Sequence, residues 1–126
     1  MLSRATMTTD STFIAAADAT LAAIGAALDA ALAGDDNEAD NGTDWSLIDG
    51  ILEIECADGS KLIVNRHVPN REIWVAARSG GFHFRADGDA WRDTRSGGEL
   101  AAQLTGLVRD QAGLEVDLSK LPPPVV

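Results

Sequence analysis

Residues 58–84 constrain the fold more than any other part of the chain. Asp58-Gly59, Pro69-Asn70 and Ser79-Gly80-Gly81 are turn signals that cut this stretch into three short runs. Within the runs, Leu62/Val64, Ile73/Val75/Ala77 and Phe82/Phe84 alternate with Lys61/Ile63/Asn65, Glu72/Trp74/Ala76 and His83. Successive side chains on a strand point to opposite faces. Period two with one apolar set therefore predicts an antiparallel sheet covered on one face only. The open face then brings Asn65, Trp74 and His83 together.

The flanking segments supply the cover. Over about residues 11–33, Phe13, Ala17, Leu21, Ile24, Leu28 and Leu32 recur at three and four, which predicts an amphipathic helix. Asp10 or Ser11 is placed to cap it and Gly34 to stop it, with residues 1–9 read as a disordered leader. Asp18 and Asp29, eleven apart, are expected on its outer face. Gly25 in mid-helix costs about 1 kcal/mol relative to Ala. A strand over 44–48 turns Trp45 and Leu47 inward. After the Asp49-Gly50 turn, a strand over 51–56 places Leu52, Ile54 and Cys56 inside, with Glu53 and Glu55 outside. A sixth strand over 90–93 carries Trp91. A second helix is predicted over about 97–112, where Ser96 and Glu99 have capping-box spacing and Leu100, Leu104, Leu107 and Val108 line one face. Residues 119–126 are read as a flexible or tucked tail. The order helix, six-strand meander, helix predicts a single α+β domain: a two-layer α/β sandwich with both helices on the sheet's apolar face.

Charge is unevenly distributed. The net charge is −10, and residues 5–60 contain no Lys or Arg. Acids crowd residues 29–58: Asp29, Asp35, Asp36, Glu38, Asp40, Asp44, Asp49, Glu53, Glu55 and Asp58. Residues 61–95 reverse the balance with Lys61 and six arginines against four acids. An acidic pole repels nucleic acid and attracts cations or a basic protein surface. The Ala-rich segment 15–33 carries Asp18 and Asp29 and has no basic lead, so no membrane anchor is expected. The single cysteine, Cys56, fits a reducing, cytoplasmic setting and reads as a small buried residue. Nucleophile motifs, phosphate loops and redox dithiols are absent from the sequence, and no enzymatic activity is assigned.

Asn65-Arg66-His67-Val68-Pro69-Asn70-Arg71-Glu72-Ile73-Trp74 resembles the Asn-basic-Gln-x-Pro-x-x-x-apolar-Trp signature of frataxins, with His67 in place of the usual Gln. Ser79-Gly80-Gly81-Phe82-His83-Phe84, Trp91 and Asp93-x-Arg95-Ser96-Gly97 are similar to the bacterial branch, the CyaY proteins. The resemblance spans about residues 11–118. It implies a monomeric iron-binding accessory protein of iron–sulfur cluster assembly, with a cysteine desulfurase and the cluster scaffold as partners. Residues 117–121 resemble a C-terminal extension of some eukaryotic members, which tucks beside the helices. The outer face of helix one departs from the bacterial pattern, carrying Ala22, Gly25 and Ala26 where acids are usual.

Two functional readings share the carboxylates. Asp18, Asp29, Asp35, Asp36, Glu38, Asp40 and Asp44 are candidate iron ligands, since Fe(II) and Fe(III) take oxygen donors. With no His or Cys in the 35–44 loop, such binding is expected to be weak and plural. The same charges suit docking on an Arg-rich surface, and a solvated acidic loop serving solubility is the bland alternative. Asn65, Arg66, His67, Arg71 and Trp74, with Glu53 and Glu55, are candidate partner contacts, because Trp concentrates binding energy. His67 and His83 read as ordinary surface histidines rather than ligands. The competing functional classes are an iron-detoxifying ferroxidase and a metal-independent acidic interaction module.

Overall fold

Period-two alternation closes into one antiparallel sheet whose strands lie side by side in chain order. The computed structural model describes residues 2–33 and 42–124, with side chains from Asp10 onward. Helix α1 spans Leu2–Leu32. The strands are β1 (Asp44–Ile48), β2 (Ile51–Glu55), β3 (Lys61–His67), β4 (Glu72–Ala77), β5 (Gly80–Asp87) and β6 (Ala90–Asp93), and helix α2 spans Leu100–Ala112. Both helices cover the same sheet face, giving the expected two-layer sandwich. Leu52, Ile54, Leu62, Val64, Ile73, Val75 and Phe84 bury from the sheet. Phe13, Ala17, Leu21, Ile24 and Leu28 meet them from α1, and Leu100, Leu104 and Val108 from α2. Each large aliphatic or aromatic side chain so buried stabilises by about 1.5–3 kcal/mol.

Two tryptophans join the layers. Trp91 on β6 donates from Nε1 to the buried Thr20 Oγ1 at 3.0 Å and meets Phe13 edge-on, with ring centroids 6.0 Å apart. Trp45 on β1 lies against Gly25: a Cβ at position 25 would sit 2.6 Å from the indole. The glycine that weakens α1 thus makes room for an aromatic ring. At the Asp49-Gly50 turn both residues have positive φ, 52° and 76°, as a tight two-residue hairpin requires.

Three expectations are corrected. Helix α1 begins at Leu2 rather than at an Asp10 or Ser11 cap, because no Pro or Gly interrupts residues 2–10. Asp10 instead accepts a hydrogen bond from Arg71 Nε at 2.8 Å. The capping box before α2 does not form: the helix starts at Leu100, and Glu99 occupies the N-cap without a side-chain capping bond. Ser96 lies too far back, bonding Gly98 N and Gln103 Nε2, while Asp93 Oδ1 accepts the backbone N–H of Arg95 and Ser96. By length and composition Asp10–Leu32 does reach the range of a membrane-crossing helix, with mean hydropathy 1.5. Its Phe13–Leu28 stripe is spent on the sheet.

The chain leaves α2 through Gly113, left-handed at φ 65°, whose N–H bonds Arg109 O. Leu114, Val116 and Leu118 then bury alternately and Pro124 is buried, so the described part of the tail is tucked. Replacing Gly25 by Leu should improve local helix propensity by about 1 kcal/mol yet lower net stability by about 1–3 kcal/mol through overpacking against Trp45. Urea unfolding of the variant tests this, and an unchanged or higher midpoint would contradict the packing argument.

Candidate docking face and acidic edge

The uncovered face of the sheet is centred on β4. Register places Asn65 and His83 directly across from Trp74, and His67 and Arg85 directly across from Glu72. All six residues share one parity and hence one face. The rings form a stack. His67 lies 3.6 Å from Trp74 between centroids with planes 9° apart, and His83 lies 4.3 Å away on the other side at 6°. Beneath them Glu72 is only 3% exposed although no helix covers it. Its Oε1 accepts the Trp74 indole N–H at 2.8 Å and its Oε2 accepts Arg85 at 2.6 Å, while His83 Nδ1 stands 3.6 Å from Oε1. Burial pushes the Glu72 carboxyl up. The hydrogen bonds from Trp74 and Arg85 and the charges of Arg85 and His83 outweigh it, and the net pKa lies below the ordinary carboxylate value.

The acidic side of the molecule lies along β1 and β2. Asp44 and Glu55 are cross-strand partners, as are Ser46 and Glu53. Glu53 pairs with Lys61 at 3.0 Å. The Asp44 carboxylate accepts the backbone N–H of Trp45 at 2.9 Å. Asp18 and Asp29 share a helix side, as the spacing predicts, but that side borders the sheet rather than pointing away from it. Asp18 pairs with Arg66, whose guanidinium lies over Gly50. Asp29 accepts the Trp45 indole N–H at 2.9 Å. Arg66 has the parity of Leu62 and Val64, so it turns to the helix side and does not flank Trp74. Arg71, at the β3–β4 turn with φ 51°, reaches back to Asp10. Asp35, Asp36, Glu38 and Asp40 lie outside the described residues. Among the described residues, no three His, Cys, Asp or Glu side chains are grouped to hold one metal ion.

The architecture matches known proteins. The family model described as a frataxin-like domain matches residues 6–114. The chain belongs to the frataxin family. The iron–sulfur cluster assembly protein CyaY of Dechloromonas aromatica is 55% identical over 104 residues, covering 82% of this chain and 92% of that one. The CyaY protein of Cupriavidus taiwanensis is 48% identical, also over 104 residues, with 82% and 90% covered. Among solved structures, a frataxin from Psychromonas ingrahamii superposes with a TM-score of 0.75 at 28% identity, covering 86% of this chain and 96% of that one.

For this frataxin-family chain, sequence reasoning put Asn65, His67 and Trp74 on one face, and the structure brings them together with His83. It missed Glu72 and Arg85 as members of the site. The signal was present: Glu72 has the parity of Trp74, Arg85 that of His83, and the two charges are opposite. Reading it needs the β4–β5 register, which turns an apparently solvated Glu into the anchor of the stack.

The Glu72 carboxyl has a lower pKa folded than unfolded, so its contribution is fully present above its ordinary value near 4.5 and is lost as pH falls through the folded value. Stability measured by denaturant titration should therefore drop below about pH 4.5, and Glu72→Gln should flatten that drop. An identical acid limb in the variant would show that the carboxylate is not the group responsible.

Proposed function

We propose that this chain is an accessory protein of iron–sulfur cluster assembly. Acting as a monomer in the cytoplasm, it docks its open sheet face on the cysteine desulfurase and its scaffold and carries iron loosely along its acidic edge. One observation carries the docking reading: a partly buried tryptophan held in a fixed ring stack at the centre of a face that neither helix covers. Trp brings large buried area with few rotatable bonds, the usual composition of a binding hot spot. The relatives' name, iron–sulfur cluster assembly protein, supports the biological setting.

The acidic edge supplies the second half of the reading. Asp44 and Glu55, together with the loop acids Asp35, Asp36, Glu38 and Asp40, offer oxygen donors to a hard cation. Asp18 and Asp29 contribute less, because each already serves a bond to the sheet. Iron here is cargo, and the same carboxylates steer a basic partner surface toward the molecule. Bound iron and an electrostatic dock compete for the same charges.

Trp74→Ala should weaken binding to the purified desulfurase–scaffold complex by about 2 kcal/mol, roughly 30-fold, while unfolding stays cooperative. Calorimetric titration at fixed salt measures this, and unchanged affinity would remove the open face from the interface. Adding Fe(II) to isotope-labelled protein should broaden amide NMR signals confined to residues 29–58. Broadening spread evenly over the chain would overturn the assignment of iron to the acidic edge.

A further inference from the structure

We propose that Glu72 is the positioning residue of the docking face: it locks the Trp74 indole edge-on between His67 and His83, so that a partner meets a rigid ring edge rather than a mobile indole. The inference rests on the docking reading above and adds the residue that shapes the surface.

The geometry assigns each Glu72 oxygen a task. Oε1 holds the indole N–H at 2.8 Å, which turns the polar rim of Trp74 inward, and Oε2 is held by Arg85 at 2.6 Å. The carboxylate is thus tethered to β5 while it tethers a ring two residues along β4. Its side chain is 4% exposed, whereas that of Arg85 is 62% exposed, so the guanidinium forms part of the lid over the acid. An ionised group buried this far requires partners on both oxygens, and it has them.

Fixing the indole N–H fixes the ring plane, and that plane is parallel to both imidazoles within 9°. With centroid separations of 3.6 and 4.3 Å, both indole faces are covered and the N–H is spent. Only the carbon edge remains for a partner. A partner Lys or Arg is therefore shut out from the π face, where cations bind aromatic rings. Holding the edge in place before encounter also removes rotamer entropy that docking would otherwise have to supply. His67 Nδ1 is buried without a hydrogen-bond partner, so the stack, rather than a polar bond at that nitrogen, places the His67 ring.

The test compares Glu72→Leu, Glu72→Gln, Trp74→Ala and the Glu72→Leu/Trp74→Ala double variant. Each is titrated calorimetrically against the desulfurase–scaffold complex. The Trp74 indole N–H signal, identified by its loss in Trp74→Ala, is followed by NMR. In Glu72→Leu that signal should move and exchange faster with solvent, and affinity should fall about tenfold. Glu72→Gln keeps an acceptor for the indole and should recover most of both. In the double variant, the Leu substitution should add nothing to the loss caused by Trp74→Ala. A freed indole with unchanged affinity overturns the positioning role, and so does a further loss in the double variant. If Trp74→Ala itself leaves affinity unchanged, the docking reading fails instead. Should Glu72→Leu not fold, Arg85→Ala removes one anchor of the carboxylate. Faster indole exchange together with weaker binding then supports the role, and faster exchange at constant affinity overturns it.

Discussion

Everything in this molecule depends on one face of the sheet being sealed by two helices while the other is left to the solvent. Leu52, Ile54, Leu62, Val64, Ile73, Val75 and Phe84 are buried because their parity turns them toward α1 and α2. That choice sends Asn65, His67, Glu72, Trp74, His83 and Arg85 to the other side. A shift of one residue in any strand register would exchange the two sets, so burying the apolar set fixes the composition of the open face as a consequence. Trp45 on Gly25, and Trp91 on Thr20 and Phe13, hold the helix layer in register with the sheet.

The open face is a built surface rather than a leftover one. A buried carboxylate on a solvent-facing sheet is costly unless its oxygens are occupied, and Trp74 and Arg85 occupy those of Glu72. The same bonds that satisfy the acid orient the indole. Local electrostatics and surface shape are therefore one feature here, and the stacked histidines complete it by covering both faces of the ring. The acidic edge on β1 and β2 is of a different kind, with carboxylates placed side by side across the strands. One part of the surface is suited to shape recognition and the other to long-range attraction.

The ion pairs at the sheet ends show how far charge counting reaches. Asp18 and Asp29 are an acidic pair on one helix side in the sequence, and in the fold each is a fastener between α1 and the sheet. Arg66 and Arg71 stand beside the Asn-to-Trp signature in the sequence. In space, strand parity sends Arg66 to Asp18 and a turn with positive φ sends Arg71 to Asp10. Exposed pairs of this type contribute little stability individually. Their effect is on what remains available: the carboxylates nearest the helix are partly engaged, whereas Asp44 and Glu55 face each other across β1 and β2 outside these pairs.

The sequence by itself determined the element order, the six strands nearly to the residue, both helical stripes and the face that carries Asn65, Trp74 and His83. These follow from period, turn chemistry and side-chain parity, which are local properties of the chain. Only the tertiary structure decided that Glu72 is buried, that Trp74 is sandwiched, that Gly25 makes room for Trp45, and that Asp18, Asp29, Arg66 and Arg71 are paired across elements. Each of these depends on which residues meet across strands or between layers. Such meetings are set by the summed burial of the core, and a pattern read along one strand does not contain them.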